Sequence, residues 1–405
     1  MESDRAFKNT FPDYSGETLL ESNETIKEPY HHKISKVIEK LLSHLEANYE
    51  MDRKDDSIYT GNAGQAFLSL HLHNKFSQSG DNRHLQQAID ILKPCLKRLK
   101  GSRVSFLCGD AGPLALAAVV YQKLGKQERA RRYIESIGEM CERVCSDGSL
   151  PDEILYGRCG YLSALLFLQQ NIGDDCISKE LIAHVVEAVL KSGESMAKRV
   201  RCSHPLMYEW HEKAYLGAAH GLAGIYYMLL QVQVPSLQDR IRREVRPCID
   251  FMLTLRFASG NCPSSLGSST GDKLLHWCHG APGWVHMFAL AYKIYKDKRY
   301  LEAARDCAKA VWKRGLLQKG YGICHGTAGN AYTFLTMFKL TREQRFLYYA
   351  VKFAEWCCDY GKHGCRTPDR PLSMFEGIAG TIYFLVDILE PLNSAFPAFE
   401  FPKSF

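Results

Sequence analysis

No stretch of this chain is long and apolar enough to cross a bilayer, which takes about 20 residues. The longest apolar runs, 114–121 and 381–386, fall far short. The N-terminus, Met1-Glu2-Ser3-Asp4-Arg5, is polar with no apolar stretch behind it, so no secretory leader is expected. Glu2 stands where N-myristoylation needs glycine. The formal charge is +6, yet no block of Lys and Arg is interleaved with aromatics, which argues against nucleic-acid binding. A modest positive charge suits an anionic small ligand, and membrane contact is expected to be peripheral at most, at the plasma membrane. No Gly-x-x-x-x-Gly-Lys phosphate cradle is present, and alternating strand patterns are scarce. Cysteine is not scarce. There are 15, an odd number, scattered without the short spacings of a disulfide frame. Without a leader, that pattern points to a cytoplasmic protein with reduced thiols, some of them metal ligands.

What is present is a repeat. Gly-x-x-Gly followed by small or apolar residues starts at Gly61, Gly109, Gly157, Gly221, Gly280, Gly326 and Gly377. Each step of about fifty residues holds two helices and their connections. Residues 113–121 are apolar nearly all round, which marks a helix buried on every side. Leu85, Ala88, Ile89, Leu92 and Leu96 instead form one stripe at i, i+3, i+4 spacing. The second helices share a mark: Arg83-His84-Leu85, Arg299-Tyr300-Leu301 and Arg345-Phe346-Leu347. Each repeat therefore reads as an inner helix and an amphipathic outer helix. The first glycine is expected to supply positive φ at the entry to the helix, and the second to permit close packing. An open solenoid needs polar terminal caps, but the first and last copies are as apolar as the middle ones. The expected fold is all-α, a seven-fold α/α toroid forming one domain over 1–405, with an N-terminal arm to about residue 40. In such a ring the seven turns gather at one end.

Two of the turns carry Cys-His pairs, Cys278-His279-Gly280 and Cys324-His325-Gly326, and a third reads Ala219-His220-Gly221. Thiolate and imidazole are zinc ligands. Pattern alone offers Cys278, His279, Cys324, His325 and His220. Four protein ligands would close a structural site; three would leave a catalytic position open, and spacing does not choose. His211-Glu212 starts a His-Glu motif, but Tyr215 stands where a metalloprotease needs its second His. Cys141 with Cys145, and the vicinal Cys357-Cys358, read as packing or surface thiols. The segment 205–211, polar and aromatic together, reads as a lid or substrate platform, or as an ordinary surface loop.

The string His276-Trp277-Cys278-His279-Gly280-Ala281-Pro282-Gly283, with Gly320-Tyr321-Gly322-Ile323-Cys324-His325-Gly326, resembles the eukaryotic LanC-like proteins, relatives of the bacterial lanthipeptide cyclases. The similarity extends through Phe106-Leu107-Cys108-Gly109-Asp110 and His363-Gly364-Cys365-Arg366-Thr367-Pro368-Asp369. The resemblance implies one zinc on Cys278, Cys324 and His325, with a position left open. It implies glutathione contacts at Lys319, Arg366, Thr367, Pro368 and Asp369, residues that otherwise read as a solvated loop. Lys319 and Arg366 would meet the two carboxylates of glutathione, and Asp369 its ammonium. His279 matches the eukaryotic relatives and not the typical bacterial cyclase.

The implied activity is that of a glutathione transferase, with zinc readying the thiol for electrophiles. These would be small molecules or proteins carrying dehydroalanine or dehydrobutyrine. Addition leaves an enolate that needs a proton, for which His220 is the candidate acid; His279 is the second catalytic candidate. A competing reading is a signalling adaptor that binds zinc, glutathione and protein partners without turnover. A third, an α/α-toroid glycosidase with Asp110 and Glu376 as its carboxylates, would leave the Cys-His pairs idle.

Overall fold

In a computed structural model, which describes residues 5–78 and 80–401, the chain gathers into two compact units. In described residues, one unit holds 51–254 with 397–401, and the other 5–50 with 255–396. Among the described residues there is no β-strand, only isolated bridges. None of the helices searched is long and apolar enough to cross a membrane.

The helices of the first unit are α2 (Asn62–Phe76), α3 (Arg83–Lys97), α4 (Ala111–Lys123), α5 (Gln127–Glu139), α6 (Cys141–Ser146), α7 (Arg158–Asn171), α8 (Lys179–Arg199), α9 (Leu222–Gln231) and α10 (Pro235–Thr254). Those of the second are α1 (Tyr30–Asn48), α11 (Ala281–Tyr295), α12 (Lys298–Arg314), α13 (Thr327–Thr341), α14 (Gln344–Cys358) and α15 (Ile378–Leu389). They pack as hairpins: α2 with α3, α4 with α5, α7 with α8, α9 with α10, α11 with α12, α13 with α14, and α15 with α1.

The expected inner helices are buried nearly all round. In α4 all but Leu114 of residues 111–121 are buried. The outer helices bury one stripe: Leu85, Ala88, Ile89 and Leu92 of α3 are inside, joined by Ile91 and Cys95, while Leu96 is only half-buried. The stretch read as an arm to about residue 40 carries the start of α1. Ile34, Ile38, Leu41 and Leu45 of that helix face inward, and it is the outer partner of α15.

The turns are stitched to one another within each unit. Ile58 N–H donates to Leu107 O (3.0 Å), Phe106 N–H to Gly160 O (2.9 Å) and Ile154 N–H to Ala219 O (3.2 Å). In the other unit Cys278 N–H donates to Cys324 O (3.4 Å) and Cys324 N–H to Phe375 O (2.8 Å). Consecutive turns therefore touch through backbone.

The reading that each first glycine supplies positive φ needs correction. Gly280 does, at φ 120°. Gly61, Gly157, Gly221, Gly326 and Gly377 are extended, with φ between −100° and −132°. Their constraint is space, because the approach to the helix folds back over them. At Gly329, a second glycine, a Cβ would strike the Ile323 carbonyl.

Candidate metal centre

Each Cys-His pair sits at the end of such a fold-back, just before an inner helix. Asn261 braces the first: its Nδ2 donates to Leu274 O (2.9 Å) and Asp272 Oδ1 (2.6 Å), and its Oδ1 accepts from Ala281 N–H (2.9 Å). Asn330, buried in α13, spans both approaches by donating to Leu275 O (3.1 Å) and Gly315 O (2.9 Å). His276 and His279 exchange two backbone hydrogen bonds, 3.1 and 3.0 Å, which close the first turn around Cys278.

The result brings Cys278, Cys324 and His325 together, with one donor atom of each within 4.8 Å of the others. Both cysteines are buried and His325 is half-buried. Burial, and then the adjacent Cys278 thiol, push the Cys324 thiol well above its ordinary range. Two adjacent buried thiolates require a compensating cation. Two thiolates cancel the charge of a divalent ion and an imidazole adds a neutral donor, so the residues fit tetrahedral zinc. Neither His279 nor His220, offered by the pattern, belongs to this group of three.

His276 was not singled out as a site residue, yet its Nδ1 lies 3.2 Å from Cys278 Sγ. Burial, then the charges of Lys319, His325 and Arg5, hold its pKa down to about 3, so the ring is neutral at physiological pH. A neutral imidazole can donate its N–H to a thiolate, which is how outer residues orient metal ligands. Its only signal in the sequence is its place two residues before Cys278.

The five residues expected to contact glutathione lie in two adjoining segments. Arg366 N–H donates to Gln318 O (2.8 Å), which sets its loop beside Lys319. Tyr321 Oη, 2.8 Å from His363 Nδ1, anchors the start of that loop, and His363 stacks on Trp356 at 3.5 Å. Lys319, Arg366, Thr367 and Asp369 are exposed and Pro368 is half-buried. Arg366 and Asp369 pair with each other at 2.9 Å, with 63% and 80% of their side chains exposed. An exposed pair of this kind contributes only ~0–1 kcal/mol, so both groups can exchange partners readily. Arg5, also unforeseen, joins this surface: its carbonyl accepts from Gln318 N–H (3.0 Å).

His220 belongs to the other unit, on the turn before α9. Its Nδ1 is 2.7 Å from Glu153 Oε2. Glu153 is buried and also accepts from Leu155 N–H (2.9 Å) and Tyr156 N–H (2.6 Å). A carboxylate so placed can accept from Nδ1–H and so orient the ring. Trp210 and Tyr156 stack near the ring, with centroids 4.4 and 6.2 Å away. The segment 205–211 is anchored beneath: Tyr208 Oη donates to Val189 O (3.1 Å), and Leu206 O accepts from Tyr226 Oη (2.8 Å). Leu206, Met207 and Tyr208 are buried, while Pro205 and His211 at its ends are exposed.

Comparison with known proteins places this arrangement. The family profile "Lanthionine synthetase C-like protein" matches residues 52–401. The chain is 45% identical over 408 residues to "Glutathione S-transferase LANCL1" of Danio rerio, covering 99% of this chain and 100% of that protein. Among solved structures it is similar to "Nisin cyclase", with a TM-score of 0.66 at 16% identity over 93% of this chain and 97% of that one. A GH76A alpha-1,6-mannanase from Salegentibacter sp. HEL1_6 matches with a TM-score of 0.50 at 11% identity, over 89% and 98% of the two chains. At such identities the likeness speaks to fold alone, and the fold is the all-α, α/α toroid class expected from the seven turns. By sequence, the chain belongs to the lanthionine synthetase C-like family.

Proposed function

We propose that this chain is a zinc-dependent enzyme of the glutathione transferase kind. It readies the glutathione thiol for addition to electrophiles, dehydroalanine and dehydrobutyrine residues of proteins among them. The observation that carries the reading is the convergence of Cys278, Cys324 and His325 from two consecutive turns. The 45% identical relative named a glutathione S-transferase supports the choice of thiol.

Cys278, Cys324 and His325 would hold the zinc, with His276 orienting Cys278. Zinc with three protein donors supplies the charge that ionises a thiol whose ordinary pKa, about 8.5, leaves it protonated at neutral pH. The chain's own residues bind and orient. Lys319, Arg366 and Arg5 offer cations for two carboxylates, Arg366 being able to bind one bidentately. Asp369, released from Arg366, faces the ammonium, and Thr367 and Pro368 shape the loop between them. Addition forms one C–S bond at Cβ, the C=C pair moves to Cα, and Cα takes a proton. We assign the donation of that proton to His220 as the imidazolium, whose charge Glu153 stabilises, while the thiol's own proton goes to solvent. His279, half-buried and bonded through its backbone to His276, is assigned to positioning Cys278.

The test measures zinc per chain and glutathione addition to a dehydroalanine peptide by mass spectrometry. Cys324→Ala is expected to lose one zinc and the addition activity. His220→Asn is expected to keep zinc and glutathione but add the thiol about 10²–10⁴-fold more slowly, the usual contribution of a general acid. Full zinc in Cys324→Ala overturns the ligand assignment. Binding without addition by the unaltered chain overturns the enzyme in favour of an adaptor.

A further inference from the structure

A second sulfur-rich cluster lies in the other unit. Cys141 and Cys145 are the first and fifth residues of α6, and i, i+4 spacing places both on one helix face. α8 packs against α6 and brings His184 to the same point. One donor atom from each of Cys141, Cys145 and His184 lies within 4.8 Å of the others. Read as isolated thiols, the two cysteines are packing residues; His184 changes that, because it adds an imidazole, a third zinc-compatible donor, from a separate helix.

The sulfur separation excludes a formed disulfide and matches the span of two thiolates on one metal. Cys141 Sγ and Cys145 Sγ are 3.8 Å apart. A disulfide requires about 2.05 Å. Two Zn–S bonds of about 2.3 Å meeting at the tetrahedral angle put the sulfurs about 3.8 Å apart. The cluster is also braced. Arg158 at the start of α7 donates from Nε to Val144 O (3.0 Å) and from Nη2 to Asp147 O (2.6 Å), which fixes the end of α6. Tyr161 Oη donates to Ile137 O (2.6 Å) just before it. Cys141 is buried, Cys145 half-buried and His184 exposed, so a fourth coordination position opens to solvent.

We propose that Cys141, Cys145 and His184 form a second metal site, for a thiophilic d10 cation, with zinc(II) as its natural occupant. Two thiolates neutralise the ion, and water or an exogenous ligand completes the tetrahedron. Binding cross-links α6 to α8. A six-residue helix is far below the length that is stable alone, about 12–15 residues, so the clip would hold α6 in place.

The experiment counts zinc on the full chain under reducing conditions, with cobalt(II) as an optical probe of thiolate ligation. The unaltered chain is expected to hold two equivalents. Cys141→Ser/Cys145→Ser is expected to hold one, and Cys324→Ala to hold one that still shows the thiolate-to-cobalt band. Because His184 is exposed, His184→Gln should leave the far-UV circular dichroism unchanged while removing one equivalent. The proposal falls if the unaltered chain binds a single zinc that Cys324→Ala abolishes. It falls also if His184→Gln and the double serine variant both keep full stoichiometry. Failure of the first site reads differently: Cys324→Ala would then keep all its metal while the double serine variant still loses one.

Discussion

His276 shows what a residue's neighbours add to its identity. Cys278, Cys324 and His325 could be picked from the sequence because two equivalent turns repeat the same Cys-His pair. His276 stands outside the repeat, and its role arises only when the turn closes and sets its Nδ1 at 3.2 Å from Cys278 Sγ. Glu153 carries no sequence signal of its own for a similar reason, since it meets His220 across 67 residues of sequence. Loss of a group that orients a metal ligand typically costs about 10–100-fold in affinity. His276→Ala is therefore expected to weaken zinc binding by that factor while leaving the three ligands in place. Competition against a chromophoric chelator measures it, and an unchanged affinity would reduce His276 to packing. The residues proposed to meet glutathione are not legible from pattern at all. Lys319, Arg366 and Asp369 are exposed polar residues on a surface loop, and only their resemblance to relatives drew them out.

At the level of the elements, periodicity separated inner from outer helices well, because burial all round and burial on one stripe leave different marks. The spacing of the glycines does not reveal which of their two properties each turn uses. Most first glycines have ordinary extended φ, and what they lack is room for a side chain above the folded-back approach. Gly280 is the exception, since φ 120° with ψ −170° is a region essentially reserved for glycine. A Cβ there would also strike the Leu274 carbonyl, on the segment that leads to Cys278. Gly280→Ala is expected to destabilise the fold by at least the ~1–3 kcal/mol of that backbone strain and to lower zinc occupancy with it. Thermal denaturation and zinc content, measured together, check this. A destabilised variant with full zinc would uncouple the turn from the metal centre.

On the scale of the whole chain, the number of repeats was legible but the makeup of the last one was not. Seven turns predict seven hairpins, yet after α15 the chain holds only a short 3-10 turn and irregular backbone with a turn at 397–399 up to residue 401. The missing outer helix is supplied from the other end of the sequence by α1, which a search for Gly-x-x-Gly could not find because it precedes the first motif. Its stripe of Ile34, Ile38, Leu41 and Leu45 is buried, and each such side chain contributes about 1.5–3 kcal/mol when removed from water. Four of them rival the ~5–15 kcal/mol by which a whole domain is stable. Deleting residues 1–48 is therefore expected to abolish cooperative folding of the unit that carries Cys278, Cys324 and His325. Ile38→Ala alone should cost about 2–5 kcal/mol. Denaturant unfolding followed by tryptophan fluorescence reads both, since Trp277, Trp284, Trp312 and Trp356 all lie in that unit. If the truncated chain unfolds with an unchanged midpoint, α1 is an appendage. If it loses the transition and its zinc together, the metal centre depends on a hairpin assembled from the two ends of the chain.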